Sequence, residues 1–307
     1  MDEVVGDGQP LRVGITAPFN DHQVSYEVFL ELARRVEAAG FDSLWMADHL
    51  TGPTPMGATR WFDVVTLLAN LTAHAPRLRV GTDVLVAAYR HSVLAAKMLT
   101  TLDTVSGGQL TVGVGTGYIE KEFEELQVPF HRRGRYTAEC IRVWKEIWSP
   151  GPANFDGEFF QLRDTVAEPK PRQQPHPPIH IGGSAPAVLR RVVELGDGWQ
   201  PISQPMDAFR TGVDRLKQLA AAAERDRPIT LAYSGGFGLV APNGSDAADR
   251  LPLVGTPDQV LHDIDDLRAL GVSHVIFRPG LVNASNQEVL DQVDYIADTV
   301  LTRLARK

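Results

Sequence analysis

The sequence predicts a single α/β domain, a (β/α)8 barrel of the TIM type with an insertion before its fifth strand. Three observations carry this prediction. Eight short apolar runs are each followed by a stretch of helical periodicity, which is the count a barrel needs. An open doubly wound sheet also alternates strands and helices, but that count and the length of 307 residues favour closure. No linker divides the chain, and the alternation is interrupted only once, at residues 149–178.

The elements follow in order. "RVGITAP" (12–18) is the first strand. In the helix after it, Val28, Phe29, Leu32, Ala33, Val36 and Ala39 fall at helical spacing, and Gly40 stops it. "SLWMAD" (43–48) is the second strand, followed by a helix over 61–74. "LRVGTDVLV" (78–86) is the third, and its helix ends at Gly107-Gly108. "LTVGVGTG" (110–117) is the fourth, and the helix Arg135 to Trp148 carries Val143, Ile147 and Trp148 on its apolar side. Residues 149–178 are rich in proline and lack apolar periodicity. "FDGEFFQLRD" within them reads as a hairpin around Gly157, expected to lie over the barrel mouth. "PIHIGG", "GWQPI", "ITLAYSGG" and "HVIFRPG" are strands five to eight. Their helices run over 185–195, through Glu224, from a Thr256 cap with Pro257 in the first turn, and over 287–304. Residues 1–10 carry Asp2, Glu3 and Asp7 without an apolar run, and read as a flexible tail rather than a signal peptide.

Composition narrows the function classes. A single cysteine, Cys140, excludes an intrachain disulfide framework and fits a reducing cytoplasm. No stretch approaches the roughly 18 consecutive apolar residues of a membrane span. The net charge of −8 argues against nucleic acid as the main partner. A small-molecule substrate is the expected partner.

In a barrel, chemistry sits where the strands end. Asp48 and His49 end the second strand; a polar loop start and a catalytic pair both fit that position. No His-x-x-x-His or Cys-x-x-Cys spacing suggests a metal. Gly113, Gly115 and Gly117 share one face of the fourth strand, which suits either close approach of a flat ligand or tight layer packing; the ligand is favoured. The dinucleotide fingerprint is absent, because Tyr118 stands where a third glycine would be needed. Gly182, Gly183 and Ser184 lead into a helix whose first amides lack partners, a design that suits phosphate. Asp83 lies in a strand of buried type and needs partners if it is buried; a solvated mouth position is the alternative. Arg90-His91 read as a solvated helix start. Glu120, Glu122, Glu124 and Glu125 with Lys121 read as a solvated turn, and Arg132, Arg133 and Arg135 as surface. Asn243 and Asn283 stand in chance sequons. Pocket walls are expected from the loops over 51–61 and 20–24.

In this order, "AAGFDSLWMADHL", "VGTDVLVAAYRHSVLAAKMLTTLDTVSGGQLTVGVGTGYIEKEFEELQVPFHRRG" and "PKPRQQPHPPIHIGGSAPAVLRRVVELGDGWQP" resemble the bacterial luciferase-like family of flavin and deazaflavin oxidoreductases. Within it, the chain most resembles the branch using coenzyme F420, a 5-deazaflavin. The resemblance implies a cofactor lying across the barrel mouth. Asp48 and His49 match the acidic–histidine pair beside the ring, His49 serving the chemistry and Asp48 orienting it or touching the ring. Asp83 and Val84 match a third-strand segment that often carries a cis non-proline peptide behind the ring. Gly115 and Gly117 match the segment lining the ring, and Gly182, Gly183 and Ser184 the phosphate loop. Family members that oxidise sugar phosphates place Glu directly after the fourth-strand glycines; here Tyr118 stands there, which argues for a different substrate.

The expected function is hydride transfer between F420 and a small organic substrate. His49 would be the proton donor or acceptor, since imidazole exchanges protons near neutrality. The alternatives are an FMN-dependent two-component monooxygenase fed by a flavin reductase, and a non-catalytic flavin- or deazaflavin-binding protein. An F420 or flavin reductase is a candidate supplier of cofactor, and the resemblance suggests a homodimer.

Overall fold

The computed structural model describes residues 4–17, 24–52, 57, 60–244, 250–281 and 284–306. Parts of the expected pocket loops over 20–24 and 51–61, Asn283, and the first three residues of the tail lie outside them.

Eight parallel strands close into a barrel. They are β1 (Arg12–Thr16), β2 (Ser43–Met46), β3 (Arg79–Thr82), β5 (Leu110–Gly115), β8 (Ile179–Gly182), β9 (Gly198–Gln200), β10 (Thr230–Gly238) and β11 (Val272–Pro279). The ring runs β1-β2-β3-β5-β8-β9-β10-β11 and back to β1. The predicted third strand is split. After β3 the Asp83–Val84 peptide is cis, and a short β4 (Leu85–Val86) resumes pairing with β5. The cis bond falls in the segment where the resemblance placed one.

The strands are short apolar runs because both faces are covered, as parallel sheets require. Outside lie the helices α1 (Tyr26–Ala38), α2 (Val64–His74), α3 (Ser92–Val105), α4 (Glu120–Glu125), α5 (Arg133–Trp148), α6 (Pro186–Leu195), α7 (Met206–Ala222), α8 (Pro257–Ala269) and α9 (Asn286–Ile296). Each longer helix buries one stripe, as α1 does with Phe29, Leu32, Ala33 and Val36. The α8 start is as expected: Thr256 and Gln259 form a reciprocal capping box with Pro257 in the first turn. Inside, large and small residues alternate. A Cβ on Gly81 would fall 2.2 Å from the Trp45 ring, so glycine there lets the indole cross the barrel interior.

Two expectations are corrected. Residues 4–9 are not a flexible tail. Val5 is buried and bridges Ile229, the Ile229 N–H donates to Val4 O at 2.7 Å, and the Thr230 hydroxyl donates to Asp7 at 2.9 Å. The segment closes the N-terminal end of the barrel, because the backbone groups before β10 need partners. The insertion does form an antiparallel hairpin, β6 (Ala153–Asp156) and β7 (Gln161–Thr165), turning at Gly157. Its tip is held by the buried Glu139 of α5, which accepts the N–H groups of Glu158, Phe159 and Phe160 at 2.7–2.9 Å. Phe159 and Phe160 pack edge-on against Tyr136, and Phe160 against His91. The hairpin therefore lies along the outer helical layer and reaches the rim only at its tip, instead of spanning the mouth.

Candidate active site

Asp83 sits at the centre of the barrel interior, 2% exposed. Its carboxylate accepts hydrogen bonds from Thr16 of β1 at 3.1 Å, Gln200 of β9 at 2.8 Å and Ser234 of β10 at 2.8 Å, and it pairs with Arg278 of β11. Of the two sequence readings, the buried and partnered one is correct. Four strands are tied to one carboxylate, so the residue that follows it is held firmly. That residue, Val84, is half-buried between buried neighbours. Its methyls occupy the space that side chains on Gly115 and Gly182 would need: a Cβ added to these glycines would fall 2.5 and 2.9 Å, respectively, from Val84 carbons. Gly113 and Gly117 likewise make room for Thr82 O and for Phe123 with Val86. Among the described residues, layer packing thus accounts for the fourth-strand glycines, and all three face the segment Thr82 to Val86 that carries Val84.

His49 and Asp48 separate. The sequence suggested that Asp48 orients His49. Instead, Asp48 accepts two hydrogen bonds from the Arg90 guanidinium, at 2.7 and 3.0 Å, and the Val86 N–H at 3.0 Å. Arg90, expected to be solvated, is buried to 8% side-chain exposure and also reaches Asp63 at 2.5 Å. Burial alone would lower the Arg90 pKa, but the hydrogen bonds and charges of Asp48 and Asp63 outweigh it and hold the guanidinium above its usual value. Asp63 also caps α2 through the Thr66 N–H. This cluster fastens the loop after β2 to the turn after β4.

The residue that orients His49 is Glu122, which the sequence placed on a solvated turn. Its side chain is fully buried. His49 Nδ1 lies 3.1 Å from Oε2, which also accepts the Tyr89 hydroxyl; Oε1 accepts the N–H groups of Leu50 at 2.6 Å and Thr51 at 3.2 Å. Burial alone would raise the carboxyl pKa, but the bonds from His49, Tyr89, Leu50 and Thr51 outweigh it and hold it below the ordinary 4.5. Burial, then the bond and charge of Glu122, push the Tyr89 phenol upward, so it remains a donor. The His49 ring packs against Trp61 at 4.5 Å between centroids and edge-on to Tyr118 at 5.7 Å. Tyr118 is 56% exposed, and its phenol is raised by burial and by Glu122. The one signal for Glu122 was apolar Phe123 beside it on a six-residue helix. Both residues are buried on α4, which a charge-counting view of the segment misses.

Gly182, Gly183 and Ser184 end β8 and enter α6. Gly183 has φ +98°, a left-handed conformation that favours glycine. Ser184 is exposed, and the N-cap Ala185 offers no side-chain hydrogen bond to the α6 amides. Trp199 Nε1 donates to Gly183 O at 2.7 Å and fixes the turn. α6 begins with Pro186, which has no N–H, and Val188 N–H donates to Ala185 O at 2.8 Å, so of its first three residues Ala187 alone has an N–H without a side-chain or backbone bond to the described residues at the C-terminal end of this barrel strand.

A parallel barrel that carries a buried His–carboxylate pair and a helix start without a side-chain cap at the C-terminal ends of its strands belongs to the class of barrel proteins that seat a small-molecule ligand across the strand ends. The family is settled by comparison. Residues 11–251 match the model of the luciferase-like monooxygenase family, and the chain belongs to that family of oxidoreductases. It is 30% identical over 195 residues to the FMNH2-dependent dimethylsulfone monooxygenase of Pseudomonas putida, covering 62% of this chain and 53% of that one. It is 29% identical over 248 residues to the F420-dependent glucose-6-phosphate dehydrogenase of Kineococcus radiotolerans, covering 74% and 69%. The fold superposes on monooxygenase RslO1 from Streptomyces bottropensis with a TM-score of 0.83, 22% identity, and coverage of 96% and 100%. Among the described residues no helix is long and apolar enough to cross a membrane, and no group of three or more His, Cys, Asp or Glu side chains could hold a metal ion.

Proposed function

We propose that this protein moves a hydride between a bound deazaflavin of the F420 type and a small organic substrate, with His49 handling the accompanying proton. The observation that carries the reading is His49 itself. Its Nδ1 is engaged by Glu122, and Nε2 makes no hydrogen bond to the described residues. A proton-transfer group thus stands beside Tyr118, with no metal ligands around it among the described residues. The barrel mouth fits a flat cofactor with an anionic tail. Val84, backed by Gly115 and Gly182, offers an apolar ledge for a ring. The α6 start, with Gly183, the Ser184 hydroxyl and the Ala187 N–H at the positive end of the helix dipole, suits a phosphate.

Such a cofactor supplies the hydride acceptor or donor, and the protein supplies position and electrostatics. Taking a hydride from an alcohol carbon also requires loss of the hydroxyl proton, and His49 Nε2 is the atom to receive it. In the reverse direction it returns the proton to the carbonyl oxygen. Asp48, bound to Arg90 and Val86, ties the end of β2 to the turn after β4, and its part in the chemistry is positional.

The P. putida relative's dependence on FMNH2 favours a second reading, an FMN-dependent monooxygenase supplied by a reductase. One titration separates the two. Purified protein should bind F420 and not FMN, and with F420 His49→Ala should retain cofactor affinity within a few-fold. It should lose about 10²–10⁴-fold in turnover, the usual worth of a positioned acid–base group. Binding of reduced FMN alone would overturn the deazaflavin reading. Unchanged turnover in His49→Ala would remove the histidine from the chemistry. A homodimer is proposed on the family resemblance and is tested by the molar mass in solution.

A further inference from the structure

We infer that Glu122 is a positioning residue that fixes the tautomer of His49, so that Nε2 alone exchanges protons with the substrate. The inference rests on the proposed role of His49 as proton carrier. An ionised carboxylate has about four lone-pair sites and no hydrogen to give. Glu122 meets four donors: the Tyr89 hydroxyl, the N–H groups of Leu50 and Thr51, and His49 Nδ1. The two N–H groups can only donate, and the Tyr89 hydroxyl donates its proton to Oε2. They hold the carboxylate ionised and prevent it from turning. Its fourth partner must then donate as well, which places the proton of a neutral imidazole on Nδ1 and the free lone pair on Nε2.

The same geometry prepares the charged state. When Nε2 takes a proton the ring becomes an imidazolium, and its positive charge forms 3.1 Å from a buried carboxylate. No atom has to move for that stabilisation, because Glu122 is already fixed by the backbone of the loop that carries His49. Asp48 does not take this part, since its carboxylate is directed to Arg90 and Val86 while His49 Nδ1 faces Glu122. Glu122 lies on α4, which follows β5, whereas His49 follows β2. Thr51 adds a second tie across the same gap, donating to Glu125 at 2.9 Å. The side chain that sets the chemistry of one strand end therefore comes from another.

The test has two arms. In the full-length protein without cofactor, ¹⁵N-labelled histidine spectra should show neutral His49 protonated at Nδ1. In Glu122→Gln that preference should collapse toward the Nε2–H form. Turnover should fall about 10–100-fold, by analogy with the loss of a carboxylate that orients a metal-bound histidine, with KM and cofactor affinity held within about threefold. A wild-type His49 found protonated at Nε2 overturns the inference on the unaltered chain, whether or not the variant folds. Unchanged turnover in Glu122→Gln overturns it as well. If His49→Ala is fully active while the tautomer is as expected, the proposed function fails and the structural assignment of Glu122 stands.

Discussion

At the scale of single residues, the barrel mouth depends on space as much as on charge. Val84 can project toward the mouth because Gly115 and Gly182 carry no side chains against it. Gly115→Ala would put a methyl 2.5 Å from Val84 Cγ2 and should destabilise the protein by about 1–3 kcal/mol, the usual cost of overpacking. Adding Val84→Ala should recover much of that loss. A double-mutant cycle by urea unfolding measures the coupling; strictly additive effects would show that the two residues do not compete for space. The glycine spacing was legible in the sequence as a marker of close approach. Which neighbour approaches was not, because Val84 lies between β3 and β4 and meets Gly115 only once β4 pairs with β5.

At the scale of elements, α6 and α8 are a contrast in how helices begin. The α8 start is closed by a capping box, and α6 has no side-chain cap. Installing a carboxylate with Ala185→Asp should cap α6 and stabilise the fold by about 0.5–2 kcal/mol. The same carboxylate would take the amides offered to a phosphate and add a repelling charge. Cofactor affinity should therefore fall by about tenfold, equivalent to about 1.4 kcal/mol, while the melting temperature rises. Calorimetric titration and thermal unfolding of one variant check both. A gain in stability with no loss of affinity would remove α6 from the cofactor site. The insertion shows the limit of reading elements alone. Its hairpin was legible from the turn at Gly157. Its seat on α5 was not, since that depends on Glu139, a carboxylate in a helical segment that gives no local hint of accepting three amides from another element.

At the scale of the whole molecule, the barrel interior carries ionisable groups that tie stability to pH. His274 lies 2.8 Å from Ser43 Oγ. Burial first, and then the charges of His180, Arg12 and Arg79, take its pKa from 6.5 to about 3. In the unfolded chain it binds a proton near its ordinary value, and in the folded chain it stays neutral until far lower pH. The unfolded state therefore holds more protons between the two values. The stability contribution is complete above about 6.5 and is lost as pH falls toward 3, by up to about 1.4 kcal/mol per unit. His180 is shifted the same way, again mainly by burial. Glu122, with its lowered pKa, adds a loss that sets in below the ordinary carboxylate value. Urea midpoints should fall as pH is taken from about 7 to about 5, and His274→Asn should flatten the slope. An equal slope in the variant would mean that His274 is not kept neutral by the fold.

Periodicity and turn chemistry in the chain were enough to specify eight strands, their helices, the break before the fifth strand, and the strand ends where chemistry belongs. These are local properties: apolar spacing follows from which face is buried, and glycine and proline punctuate it. The partners of the polar groups were decided by closure of the barrel. Asp48 went to Arg90, His49 to Glu122, and Asp83 to four strands at once. A buried charge takes the partner that satisfies it after desolvation, and that partner is chosen by which strand ends meet in space, a property no local stretch of sequence contains.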